Sequence, residues 1–279
     1  MVIKEENDFI GIMTEDLETF EKDTRQRPFR DRCLENKVKL LSLITLITLS
    51  LHDLWKGFYD EMDLPLIGNS MFACLIGLFV ADFITGSAHL TFDHVMLDAV
   101  PTKSRPLLQW LAFGFQYHHA VPTSWNDGDF FYLAILRTGF IGLLPFTLMQ
   151  LMASSFHLHL SWRIFFATCA FSCLFCQVPH AAAHGRWKKS RVSWMIRLLQ
   201  RLKLFVDPKD HHEHHTYFDR NFAIFNGWSE PLLRILYNYA SKEHIIAPEM
   251  KPEVQRKVYV LEKEHLVRPY LRMFPDCRT

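Results

Sequence analysis

The chain has 279 residues and a net charge of +1, so no global basic field marks it for nucleic acid. Hydrophobic residues make up 49% of it, with 24 phenylalanines, 15 histidines and only 11 glycines. Six cysteines (Cys33, Cys74, Cys169, Cys173, Cys176, Cys277) include one close spacing, Cys173 and Cys176, but no second pair to complete a metal set, which argues against a disulfide framework or a cysteine zinc site. Three of them share one apolar run and read as small buried hydrophobes.

In chain order, residues 1–35 read as an acidic, polar, cytosolic tail rather than a cleaved signal peptide. Residues 36–240 read as one membrane domain. A helix needs about 20 mainly apolar residues to cross a bilayer core of roughly 30 Å. Four stretches qualify: Val38 to Trp55, Ser70 to Leu90, Phe130 to Ala153 and Leu160 to Ala181. They lack the polar stripe that helices in a soluble core normally keep. Pro145 is expected to kink the third span, which membrane helices tolerate. Residues 241–279, charged and weakly periodic, read as a cytosolic C-terminal tail. The expected fold is an all-α membrane protein: four transmembrane helices with a cytosolic helical cap carrying a histidine-rich di-metal site.

Basic residues set the expected orientation. Arg25, Arg27, Arg30, Arg32, Lys37 and Lys39 precede the first span; Arg186, Lys188, Lys189 and Arg191 follow the fourth; Lys103 and Arg105 lie between the second and third. Both termini and the middle loop therefore face the cytosol, with Arg163 as a small exception on the far side. On that map His89, His118, His119, His180, His184, His211, His212, His214 and His215 all emerge on the cytosolic face. His52, His157 and His159 lie toward the opposite one, His244 and His265 lie far down the tail, and His94 stays unassigned.

The spacings suit metal ligands, since a neutral imidazole nitrogen binds iron, zinc or copper. "HAAAH" puts His180 and His184 on one helix face at i and i+4, and "HLTFD" does the same for His89 and Asp93. In "DHHEHH", His211 shares a face with His214 and with His215, whereas His212 points elsewhere and either supports a ligand from behind or is solvated. Adjacent His118 and His119 in a turn can diverge towards different metals. The preferred ligands are His89, His118, His119, His180, His184, His211, His214 and His215. Eight imidazoles exceed the needs of one tetrahedral zinc and suit two metals, with iron favoured and zinc still open. Asp93, the candidate catalytic residue, and Asp210 and Glu213 either bind metal or orient imidazoles. Asp82, inside the second span, either bonds a neighbouring helix or supports a ligand histidine.

The segments "ADFITGSAHLTFD", "YHHAVPTSWNDGDF", "HAAAHG", "HHEHH" and "NGW" occur in the order found in the Kua/CarF lipid desaturase family, which the chain resembles over roughly residues 70–235. That family includes plasmanylethanolamine desaturases and plastid phosphatidylglycerol trans-3 desaturases. The resemblance implies a di-iron oxidoreductase of the endoplasmic reticulum that uses dioxygen and electrons from cytochrome b5 or a similar donor. Its substrate would be a membrane phospholipid and its product the vinyl-ether bond of plasmalogens. It carries the metal role to all eight histidines and matches the family's aspartate to Asp93. Leu90, Met96, Val121, Ala182 and Asp210 depart from residues common in relatives. Fatty-acyl desaturation of the trans-3 type, lipid hydroxylation at the same centre, metal transport and a scaffold role are the competing expectations.

Overall fold

The computed structural model describes residues 29–61, 64–94, 115, 118–119, 122 and 128–243, with side chains described for 37–60, 67–94, 115, 118–119, 122 and 142–243. Among these residues every element is helical, with no strands. They are α1 (Phe29–Glu61), α2 (Leu64–His94), α3 (Gly128–Ser155), α4 (Leu160–Phe175), α5 (Gln177–Ala183), α6 (Ser193–Arg201), α7 (Pro208–Tyr217) and α8 (Glu230–Lys242).

The first predicted span lies within α1. Its hydroxyl side chains turn back onto their own helix: Ser42, Thr45 and Thr48 each donate to the carbonyl four residues earlier at 2.9 Å. With those groups satisfied internally, Val38, Leu41, Ile44 and Leu51 present an apolar, exposed face. α2 likewise exposes Ile67, Met71, Phe72, Leu75 and Ile76. Among the described residues two helices, Lys37–Asp60 and Ile67–His94, are long and apolar enough to cross a membrane, and a bent pair makes a third if counted as one span. The predicted third span lies inside α3, whose side chains are described from Gly142 onward.

The fourth predicted span is not one helix. α4 and α5 meet at Cys176 with a bend of 43°. Pro179, in the first turn of α5, explains the break: it has no N–H to donate and its ring clashes with the carbonyl four residues back, that of Phe175. The bend carries His180 and His184 out of line with α4.

α4 sits at the centre of the bundle and packs against α1, α2 and α3. Leu43, Leu143, Ala170 and Leu174 form one core cluster, and Ala73, Leu160 and Ile164 another. At Gly142 an added Cβ would collide with Cys173, so glycine is what lets α3 approach α4 this closely. The four described cysteines, Cys74, Cys169, Cys173 and Cys176, are free, as their apolar setting requires.

Arg163, expected near the far end of its span, is buried rather than exposed. Its guanidinium donates to both carboxylate oxygens of Asp53 on α1, at 3.0 and 2.9 Å. Gln150 on α3 donates to the same carboxylate at 2.8 Å and to the Ser50 carbonyl at 2.9 Å. One polar knot thus ties α1, α3 and α4 at the end away from the histidines. Removing one partner leaves a buried charge uncompensated, which costs roughly 3–5 kcal/mol. Arg163→Ala is therefore expected to lower the thermal unfolding temperature of the detergent-purified protein sharply, while the Asp53→Ala/Arg163→Ala double variant recovers part of the loss. Additive losses would refute the coupling.

Candidate metal centre

α2 delivers His89 and Asp93 on its last turns, and the α4–α5 bend delivers His180 and His184. α7 delivers the third set. It begins at Asp207, whose carboxylate accepts from the Lys209 N–H at 2.9 Å, with Pro208 pre-shaped for the first helical position. It ends at Phe218 in the left-handed conformation, φ 60°. Ten residues of helix are enough to aim His211, His214 and His215 inward.

All eight preferred histidines converge, and they divide into two groups. His118, His180, His184, His211 and His215 form one; His89, Asp93, His119 and His214 form the other. Within each group the candidate ligand atoms lie within 4.8 Å of one another. Nitrogens bound about 2.1 Å from a single metal can be no more than about 4.2 Å apart, so little adjustment separates these atoms from a shared ligand sphere. The neighbours His118 and His119 go to different groups, and so do His214 and His215. His211 pairs with His215 rather than with His214.

The nitrogens face each other in a way that neutral side chains alone do not favour. His211 Nε2 stands 2.8 Å from His184 Nε2 and 3.1 Å from His215 Nε2. In the other group Asp93 lies 3.3 Å from His89 Nε2, 3.1 Å from His119 Nε2 and 3.2 Å from His214 Nε2. His89 Nε2 is buried without a hydrogen-bond partner among the described residues. Buried polar atoms are ordinarily satisfied, so lone pairs gathered in this way mark a cation site. Five imidazoles in one group exceed the four ligands of a structural zinc and fit a metal that accepts more.

Three histidines have their other ring nitrogen fixed. His89 Nδ1 donates to the Phe222 carbonyl at 2.9 Å, His214 Nδ1 to the Arg220 carbonyl at 2.8 Å, and His180 Nδ1 to the Gln177 side-chain oxygen at 3.0 Å. Carbonyl oxygens only accept, so each proton sits on Nδ1 and each Nε2 keeps its lone pair for the group. Gln177 could have been found from the sequence, one turn before His180. The carbonyls of Arg220 and Phe222 carry no sequence signal.

The remaining predicted residues fall outside the two groups. Asp82 is buried and accepts hydrogen bonds from the 225–229 segment. Among the described residues its carboxylate bonds no imidazole, and Thr85 reaches only main-chain oxygens, donating to the Ala81 carbonyl at 2.8 Å and to the Asp82 carbonyl at 3.1 Å. Asp210 faces Lys203 at 3.7 Å; Glu213 faces Asn221 at 3.4 Å and Lys209 at 3.9 Å. His212, His52, His157 and His159 are exposed. The unassigned His94 is buried, with Nε2 donating to the Phe218 carbonyl at 3.1 Å. His244, His265, Met96 and Val121 lie outside the described residues. Leu90 joins a core cluster with Phe222, Ala223, Leu233 and Tyr237.

Residues 78–253, more than half of the chain, match the family described as the lipid desaturase domain. The chain belongs to the lipid desaturase family. No curated protein and no solved structure gives a significant match. The matched stretch contains both histidine groups, so the lipid desaturase domain and the candidate centre are the same part of the molecule. Membership supports an oxidoreductase of the lipid desaturase or hydroxylase type.

Burial favours the neutral form of several of these imidazoles. It is the first cause holding His118, His119, His211 and His215 below the usual imidazole range; neighbouring imidazoles add to it, while Asp93 opposes it at His119. His184 is pushed down to about 3 for the same reasons. At neutral pH each can therefore bind metal without first losing a proton. In the metal-free protein the sign is set by the unfolded chain, whose imidazoles take up protons below about pH 6.5 while the folded ones do not. Stability should be full above that pH and fall as the pH drops, by about 2 kcal/mol at pH 5 for a group such as His184. Thermal unfolding of metal-stripped protein between pH 7.5 and 5 tests this; a flat profile would contradict it.

Proposed function

We propose that the protein is a membrane lipid desaturase with a histidine-held di-iron centre, and that it forms the vinyl-ether bond of plasmalogens. The observation that carries the metal reading is the division of eight imidazoles and one carboxylate into two adjacent closed groups. A pair of metals needs two such sets, and a transported ion needs a site it can leave, which buried donor sets of five and four do not offer. The lipid reading rests on family membership. The plasmalogen reading rests on the resemblance of the five histidine-bearing and flanking segments to plasmanylethanolamine desaturases.

In this reading His118, His180, His184, His211 and His215 hold one iron, and His89, Asp93, His119 and His214 the other. Bound iron, reduced by cytochrome b5 or a similar carrier, would supply the dioxygen chemistry that removes two hydrogens from adjacent carbons. The protein's own part is binding, orientation and exclusion of water. The carbonyls of Arg220 and Phe222 and the Gln177 side chain fix which imidazole nitrogen faces the centre. Asp93 brings one negative charge to a set that is otherwise neutral and offsets part of the cation's charge in a buried place. The ligands stand at the end of α2, beside the boundary of its apolar stretch, so a phospholipid lying along that helix presents carbons close to its headgroup. The alkyl carbons next to an ether oxygen are such carbons. Orientation with the centre and both termini toward the cytosol, four crossings and residence in the endoplasmic reticulum complete the proposal.

Expression in cells that lack plasmalogens, followed by mass spectrometry of vinyl-ether lipids, tests the assignment. Product is expected from the intact chain, none from His180→Ala, and nearly normal amounts from His157→Ala and His212→Ala. A well-expressed protein that yields no vinyl ether overturns the plasmalogen reading, and a hydroxylated alkyl chain instead would place it among hydroxylases. The metal is tested separately: two irons per chain are expected after reconstitution, and tightly bound zinc in their place would refute the di-iron assignment.

A further inference from the structure

The segment from Phe218 to Ser229 joins α7 to α8 without regular structure, and its backbone bonds side chains of other elements on both its carbonyl and its N–H groups. Its carbonyls at alternate positions serve histidines: Phe218 accepts from His94 at 3.1 Å, Arg220 from His214 at 2.8 Å and Phe222 from His89 at 2.9 Å. Its N–H groups serve two acids. Glu230, the first residue of α8, accepts from the Asn221 N–H and from the Ala223 N–H, the latter at 3.2 Å. Asp82 accepts from the N–H groups of Phe225, Asn226, Gly227 and Ser229 at 3.3, 2.9, 3.3 and 2.9 Å, and from the Ser229 hydroxyl at 2.7 Å.

Such a wrap needs particular residues. Gly227 has φ +86°, a conformation that side chains rarely adopt, which lets consecutive N–H groups close around one carboxylate. Asn226 secures the turn by accepting the Trp228 N–H on its side-chain oxygen at 3.0 Å. Gly86, one turn along α2 from Asp82, leaves room for Leu233 and for the Ala223 backbone, which a Cβ there would meet at 3.3 Å from the Ala223 Cα. The two acids grip successive stretches of the same strap, and the strap's carbonyls hold two members of one of the two groups. Both histidines that it orients, His89 and His214, belong with Asp93. The five-histidine group takes its orienting contact from Gln177 through His180.

We infer that Asp82 and Glu230 are positioning residues which, by holding the 218–229 strap, set the imidazole orientation of the Asp93 group selectively, leaving the five-histidine group to Gln177. The inference rests on the reading of the two groups as metal sites. It gives Asp82 a purpose beyond joining two elements. Buried charge inside a candidate membrane helix is costly, and here that charge is spread over five donor groups of a strap whose preceding carbonyls, those of Arg220 and Phe222, aim two ligands.

The test uses full-length protein in detergent and cobalt(II) as probe, followed by visible absorption and metal content. Wild type should bind two ions. Losing an outer orienting partner typically weakens metal affinity by 10–100-fold. Asp82→Asn and Glu230→Gln should each weaken one ion by about that factor and leave the other near its wild-type affinity. Gln177→Ala should weaken the other ion, so that combining Asp82→Asn with Gln177→Ala weakens both. Asp82→Glu, which keeps the charge, should restore part of the affinity lost in Asp82→Asn. If Asp82→Asn and Glu230→Gln bind both ions as tightly as wild type, or lose both equally together with thermal stability, the selective role is refuted. If wild type itself binds no ion, the metal reading fails first, and that outcome is distinct from the other two.

Discussion

The constraint on which the rest of the molecule depends is the meeting of imidazole lone pairs in a space closed to water. His211 brings its Nε2 to about 3 Å from those of both His184 and His215, and Asp93 stands equally close to three more imidazoles. No pair among the nitrogens gains much by itself, and proton uptake is opposed by burial. The surrounding chain therefore has to hold these groups where they would not go of their own accord. Three devices do so: a helix broken at Pro179, a short helix started at Asp207, and a strap wound around Asp82.

Those devices differ in cost and in reach. The break at Cys176 is local and follows from one proline. The α7 cap needs only two adjacent residues, Asp207 and Pro208. The strap is the least local of the three. It joins residue 82 to residues 225–229 and residue 89 to residue 222, so it can form only once α2, α7 and α8 are all in place. The Asp53–Arg163–Gln150 knot plays a comparable part at the other end of the bundle, tying three helices whose contacts are otherwise apolar.

Much of this was legible in the sequence, for reasons that can be named. Apolar runs and i,i+4 spacing place α1, α2, α4 and α5, because both depend only on near neighbours. The convergence of His89, His118, His119, His180, His184, His211, His214 and His215 was readable because four separate clusters fell on one side of a membrane map. Their division was not, since adjacent His118 and His119 separate through backbone direction, which composition does not encode. His212 was readable as outward-facing from helical phase alone. The bend in the fourth span was not expected, since Leu160 to Ala181 read as one continuous span, although Pro179 within "CQVPHA" carries the signal for it. The acceptors of His89 and His214 are backbone carbonyls, which every residue owns, so nothing in the side-chain pattern singles out Arg220 or Phe222. The "NGW" stretch was visible as a motif, but its purpose appears only when Gly227 folds around a carboxylate about 145 positions earlier.

α2 also acts as a ruler. Its membrane-competent stretch begins at Ile67, and His89 stands about 33 Å further along the axis at 1.5 Å per residue, close to the thickness of a bilayer's hydrocarbon layer of roughly 30 Å. Asp82, His89 and Asp93 are fixed to that one rod, so the depth of the candidate centre along the bundle is written in helix length. One turn inserted before Asp82 would displace the centre by about 5.4 Å, a shift of several methylene groups along an extended lipid chain. In the proposed function, that distance would decide which carbon of the chain meets the centre.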